Sequence, residues 1–251
     1  MTYLVGAMSR DLSKVRAIVF DLDNTLMDFM KMKESAIDGA LDAMIDAGLR
    51  MEKKKALAVM NSLFDKYGIE HQHIFNVFLE EVTGSVDNRI LAAGVVAYRR
   101  VKEGYVQPYP NVTATLLELL RRGYKLGIIS DAPSFQAWTR LAGMNLHHFF
   151  RSEHVVTLDD TGVRKPDELP FKAAMDKLRL NPEEMLFVGD DLSRDIAGAK
   201  GFRIITALAQ YGCWKNQESC GPEEAPDFIL NDISELLTLL PMQGHAERET
   251  L

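Results

Sequence analysis

Three short apolar runs of this chain each stop at residues suited to polar chemistry. Ala17-Ile18-Val19-Phe20 ends at Asp21-Leu22-Asp23-Asn24-Thr25, Lys125-Leu126-Gly127-Ile128-Ile129 at Ser130-Asp131, and Met185-Leu186-Phe187-Val188 at Gly189-Asp190-Asp191. Continuous apolar runs of this length suit strands buried on both faces of a parallel sheet. Ligands of open parallel sheets bind beyond the carboxyl ends of the strands, near the switch in strand order. If these strands are neighbours, Asp21, Ser130 and Asp190 converge on one crevice. Carboxylates repel a phosphate unless a cation lies between them. Mg²⁺ suits such a site, because it takes carboxylate oxygens and keeps positions open for water and a substrate phosphate.

Other readings of the first motif fail on single residues. Asp21-x-Asp23-x-Thr25 starts like a calcium loop, but Leu26 stands where that loop needs glycine and Met32 where it needs glutamate. The chain has no Gly-rich phosphate loop of the Lys-Ser/Thr kind, and no Gly-x-Gly-x-x-Gly after a strand. Nucleotide binding by those routes is therefore not expected.

The elements that must position these residues fall into two textures. Residues from about 31 to 104 hold no proline, and apolar residues recur at helical spacing, as in Ala36, Ala40, Leu41, Met44 and Ile45. Gly48, Gly68, Gly84 and Gly104 fall near the expected helix ends, giving about four helices in an all-α unit. After Pro108 and Pro110, strand-like and helical runs alternate. Asn111 is placed to cap a helix that runs to Arg122. Helices are expected from Phe135 to Ala142, from Pro170 to Leu178, from Asp195 to Lys200 and near Ile233 to Leu240. Further strands are expected over Arg203–Ala207 and Asp227–Leu230. The alternation predicts an α/β fold, a doubly wound parallel sheet, with the α-helical unit inserted after the first strand.

Composition sets broader limits. The 251 residues carry a formal net charge of -7, which argues against a nucleic-acid scaffold, since that affinity rests on Lys and Arg. Cys213 and Cys220 fit no zinc spacing and form no disulfide framework. Leu4 to Met8 lacks a preceding basic region, so no signal peptide is expected. No run is long enough to span a bilayer, and the protein is read as cytoplasmic with no membrane partner.

Four segments, in order, resemble the signatures of the haloacid dehalogenase-like (HAD) superfamily: Asp21-Leu22-Asp23-Asn24-Thr25-Leu26, Ser130 after its strand, Lys165 in Arg164-Lys165-Pro166, and Gly189-Asp190-Asp191 with Asp195. The resemblance covers the whole core. It implies a Rossmann-like catalytic core of residues 1-28 plus 106-251 and a helical cap domain of residues 29-105. It also implies roles. Asp21 would attack phosphorus and form an aspartyl-phosphate. Asp23 would be the general acid and base. Asp21, Asp23 (through its backbone carbonyl) and Asp190 would hold Mg²⁺. Ser130, the adjoining backbone at Asp131, and Lys165 would bind the phosphate. Asp191 or Asp195 would support the metal or hold Lys165, and either could instead cap the following helix.

The expected reaction is hydrolysis of a small phosphorylated metabolite, since a cap that closes over the crevice favours small substrates. A haloacid dehalogenase would need neither Asp23 nor the Gly189-Asp190-Asp191 cluster. Phosphomutase chemistry and a catalytically silent binding module stay open. His71, His73, His147 and His148 lack ligand spacing and are read as surface or packing residues. Arg99, Arg100 and Lys102 are read as a solvated helix face, and Met44, Met51 and Met60 as core filler.

Overall fold

A six-stranded parallel sheet holds the three motif-bearing strands side by side. The structure is a computed structural model that describes residues 11–68, 71–213, 221 and 224–243. The strands are β1 (Ala17–Phe20), β2 (Lys125–Ile129), β3 (Val155–Val156), β4 (Met185–Gly189), β5 (Ile205–Ala209) and β6 (Phe228–Leu230). Their order is β3-β2-β1-β4-β5-β6, the doubly wound order. Successive strands are added outward from β1 to β3 on one side and from β4 to β6 on the other, so the switch point lies between β1 and β4. Ala17 is level with both Lys125 and Met185, and Phe20 with both Ile128 and Val188. The ends of β1, β2 and β4 therefore reach the same height.

All four residues of β1 are buried, as expected for a strand covered on both faces. Ala17 and Val19 join a core with Phe187 of β4 and with Phe171, Ala174 and Leu178 of a helix over Glu168–Leu178. The Phe171 and Phe187 rings meet edge to face, 5.5 Å apart.

By contact the chain divides into two compact units, one of residues up to Asp28 and from Gln107 onward, the other Phe29–Val106. The second consists of α1 (Phe29–Asp46), α2 (Lys53–Tyr67), α3 (Ile74–Thr83) and α4 (Asn88–Tyr105). Its core joins Leu41, Met44, Met60, Leu63, Phe75 and Phe78. Lys33 is buried in this unit, its ammonium 5.1 Å from the Phe64 ring and 5.4 Å from the Tyr98 ring. No helix among the described residues is long and apolar enough to cross a membrane.

Several local expectations are corrected. Asn111 stands before α5 (Val112–Arg121) but in the left-handed region, φ 65°, and makes no side-chain cap; its amide donates to Asp232 instead. The strand expected from Arg203 starts at Ile205, because Arg203 is also left-handed, φ 64°. Residues 192–196 form a π-helical turn before a short helix over Ala197–Gly201. β3 was not foreseen. Cys220 lies outside the described residues.

Candidate active site

The ladder of β1 continues into Asp21, whose N–H donates to Val188 O at 2.8 Å, and carries its side chain to the end of the sheet, where it is buried. The chain then turns. Asn24 takes a left-handed φ of 59°, and Leu26 N–H donates to Leu22 O. This turn is braced from the 3-10 turn Gln210–Gly212 that follows β5. Tyr211 Oη donates to Thr25 O at 3.0 Å, and a Cβ placed on Gly212 would lie 1.6 Å from Asn24 O. Only glycine fits at that approach. The neighbouring Cys213 thiol donates to Asp190 O, and burial pushes its pKa up to about 11, so it stays a thiol.

Lys165 joins the strand ends. Its buried ammonium lies 2.6 Å from Asp21 Oδ1 and 2.7 Å from Asp195 Oδ1, and donates to Ile129 O at 3.1 Å. Burial alone would lower the Lys165 pKa, but Asp195 and Asp21 outweigh it and raise it. Burial would likewise raise Asp195, yet Lys165 and Arg194 hold it below the usual carboxylate range. Lys165 and Asp195 thus form an ionised pair at the floor of the site. Asp131 Oδ1 accepts the Lys165 backbone N–H at 2.9 Å, so this carboxylate positions the lysine, and any phosphate contact is left to its backbone.

The structure separates Asp191 from Asp195. Asp191 Oδ1 accepts from Ser193 N–H, Arg194 N–H and Ser193 Oγ, which makes it a cap. Asp195 is fully buried against Gly189, where a Cβ would stand 2.5 Å from the Asp195 Cβ. Asp190 is buried beside them. Burial pushes both Asp190 and Asp21 above the usual carboxylate range, and their acidic neighbours add to this. Ser130 is buried too. Its N–H extends β2 onto Val156 O, and its Oγ accepts from Ala132 N–H, so its hydroxyl proton can still be donated.

Asp21, Asp190 and Asp195 can bring oxygens within 4.8 Å of one another. Asp21 Oδ2 is buried with no hydrogen-bond partner. A cluster of hard carboxylate oxygens, one lacking a partner, fits a small divalent cation better than a soft metal.

Two cationic residues of this site were absent from the sequence reading. Arg140, buried on α6 (Ser134–Gly143), places Nη1 2.5 Å from Asp23 Oδ2. Arg194 reaches over the acidic cluster, 3.5 Å from Asp190 Oδ1 and 3.8 Å from Asp21 Oδ2. Arg194 follows Asp190 by four residues across a turn, a spacing that could have signalled it. Arg140 carries no such signal. His147 and His148 are exposed, their rings 3.8 Å apart and tilted to each other.

A family model described as haloacid dehalogenase-like hydrolase matches residues 15–203. A glyceraldehyde 3-phosphate phosphatase of Methanopyrus kandleri is 33% identical over 228 residues, covering 90% of this chain and 97% of that one. One of the same name from Methanocaldococcus jannaschii is 32% identical over 226 residues, covering 90% and 97%. The crystal structure of a HAD phosphatase from Thermococcus onnurineus superposes with a TM-score of 0.64 at 24% identity, covering 91% of this chain and 99% of that one.

Proposed function

This chain belongs to the haloacid dehalogenase-like hydrolase family and is a phosphatase of that type, and we propose that it hydrolyses a small phosphate monoester through an aspartyl-phosphate on Asp21. One observation carries the reading. The Asp21 carboxylate is fixed at one oxygen by Lys165 and lacks a hydrogen-bond partner at the other, at the switch point of the sheet.

An oxygen of Asp21 attacks phosphorus in line, and the bond from phosphorus to the alcohol oxygen breaks. Asp23 gives its proton to the departing alcohol. As a carboxylate it then takes a proton from water, whose oxygen attacks phosphorus. The bond from phosphorus to Asp21 breaks, which releases phosphate and restores both aspartates. Lys165 offsets charge on Asp21 and the phosphoryl oxygens, and Ser130 donates to one of those oxygens. Asp21, Asp190 and the Asp23 carbonyl would hold Mg²⁺, which when bound neutralises phosphate charge. Asp195 orients Lys165, and Asp191 shapes the turn that carries Asp195.

The helical unit is proposed as a cap that admits small substrates in the cytoplasm. Relatives named for glyceraldehyde 3-phosphate put that compound first on a substrate panel. Phosphoglycolate, sugar phosphates and nucleoside monophosphates follow. Purified protein with Mg²⁺ should release phosphate from an aryl phosphate and from at least one of these. EDTA should abolish the release, and Asp21→Asn should lower it by several orders of magnitude. Full activity in Asp21→Asn would sink the nucleophile assignment. Halide release from a haloacid without added metal would point to the dehalogenase instead.

A further inference from the structure

Arg194 differs from Lys165 in how it meets the same carboxylates. Lys165 is buried and hydrogen-bonded at 2.6 Å to Asp21. Arg194 Nη2 stands 3.5 Å from Asp190 Oδ1, 3.6 Å from Asp195 Oδ2 and 3.8 Å from Asp21 Oδ2, beyond good hydrogen-bond distance for all three. Its Nε, 3.6 Å from Asp131 Oδ2, makes no hydrogen bond. Its side chain is 35% exposed, whereas that of Lys165 is wholly buried. Charge, with little directional bonding, holds this guanidinium over the cluster. It can move without breaking a hydrogen bond from its tip, and Asp131 lies 3.6 Å from its Nε as a further partner.

We propose that Arg194 is an internal counter-ion that competes with the divalent cation for the Asp21 and Asp190 carboxylates and so sets the cation affinity of the site. The inference rests on the proposal that these two carboxylates hold the cation. A fixed positive charge within about 4 Å of the same oxygens opposes a second one. On this proposal the guanidinium gives up its contacts with Asp21 and Asp190 as the cation arrives, while Asp131 remains within reach. The site keeps part of its charge balanced at all times, and cation affinity is held lower than three buried carboxylates alone would give.

The experiment is direct binding of Mn²⁺ in the absence of substrate, followed by loss of the free-ion EPR signal. Arg194→Gln should bind Mn²⁺ about tenfold more tightly than the wild type. Unchanged or weaker binding overturns the proposal. Asp190→Asn is the companion variant. If it binds Mn²⁺ as the wild type does, the cation assignment itself fails, which is a separate result. A second measurement needs no variant. Peptide mapping after phenylglyoxal treatment of the wild-type protein should show Arg194 modified several-fold faster with saturating Mg²⁺. A rate that Mg²⁺ leaves unchanged or lowers also overturns the proposal.

Discussion

The Arg140 guanidinium, buried on α6, holds the Asp23 carboxylate through Nη1 and Oδ2. A residue beyond the second strand thus orients the residue two places after the proposed nucleophile. Asp23 is needed most when the departing alcohol is a poor leaving group. Arg140→Met should therefore cut phosphate release from an alkyl phosphate by about a hundredfold, and from a good aryl leaving group by far less. Equal losses on both substrates would show that Arg140 serves the fold and not the proton transfer.

Lys165 neutralises two buried carboxylates at once. Its removal leaves both without that charge. Lys165→Met should destabilise the protein by about 3–5 kcal/mol in denaturant unfolding, besides abolishing activity. A variant that is inactive yet as stable as the wild type would contradict the ion-pair account.

Gly212 lies far from Asn24 in sequence but against its carbonyl in space. A methyl group there meets backbone, which cannot rotate aside. Gly212→Ala should shift the Asp21–Thr25 turn and lower kcat about a hundredfold, since small misplacements are costly in catalysis. Wild-type kcat in this variant would show that the turn does not depend on the brace from the segment after β5.

Asp160 supplies a stability prediction with a pH signature. It is the third residue of the short helix α7 (Leu158–Thr161), accepts from Thr157 N–H and Oγ1, and pairs with Lys177 Nζ at 2.7 Å. Partial burial would raise its pKa, but the bonds from Lys177 and Thr157 hold it below the ordinary value. A depressed folded pKa stabilises the protein above the unfolded pKa, and that stability is lost as pH falls through the folded one. Asp160→Ala should cost about 1 kcal/mol at pH 7. The gap to wild type should shrink below about pH 4, near the unfolded carboxylate pKa. A gap that stays constant down to pH 2.5 would count against the ionised pair.

What could be read from the sequence was whatever sits at an abrupt change of pattern. Phe20 to Asp21 and Gly189 to Asp190 mark buried strands meeting acid, and both strands and both aspartates stand where that break put them. Val155–Val156 is too short to show a period, so β3 was invisible. Asn111 and Arg203 adopt left-handed backbone that their residue types only weakly announce. Arg140 looks like any surface arginine on a helix; only packing shows that its charge is buried. Asp191 and Asp195 could not be told apart by type. Their roles diverge because one precedes the turn and the other lies within it, against Gly189.

The place of β1 at the centre of the sheet has a consequence for how the protein is made. Its neighbours begin at Lys125 and Met185, beyond the whole helical unit. During synthesis, Asp21 leaves the ribosome early but has no strand to pair with. The α1–α4 segment, a compact unit with its own core, can condense while β1 waits. Asp21 is thus among the first residues of the site to be synthesised and among the last to gain its surroundings. Its acquisition of protection from hydrogen exchange should mark the completion of folding.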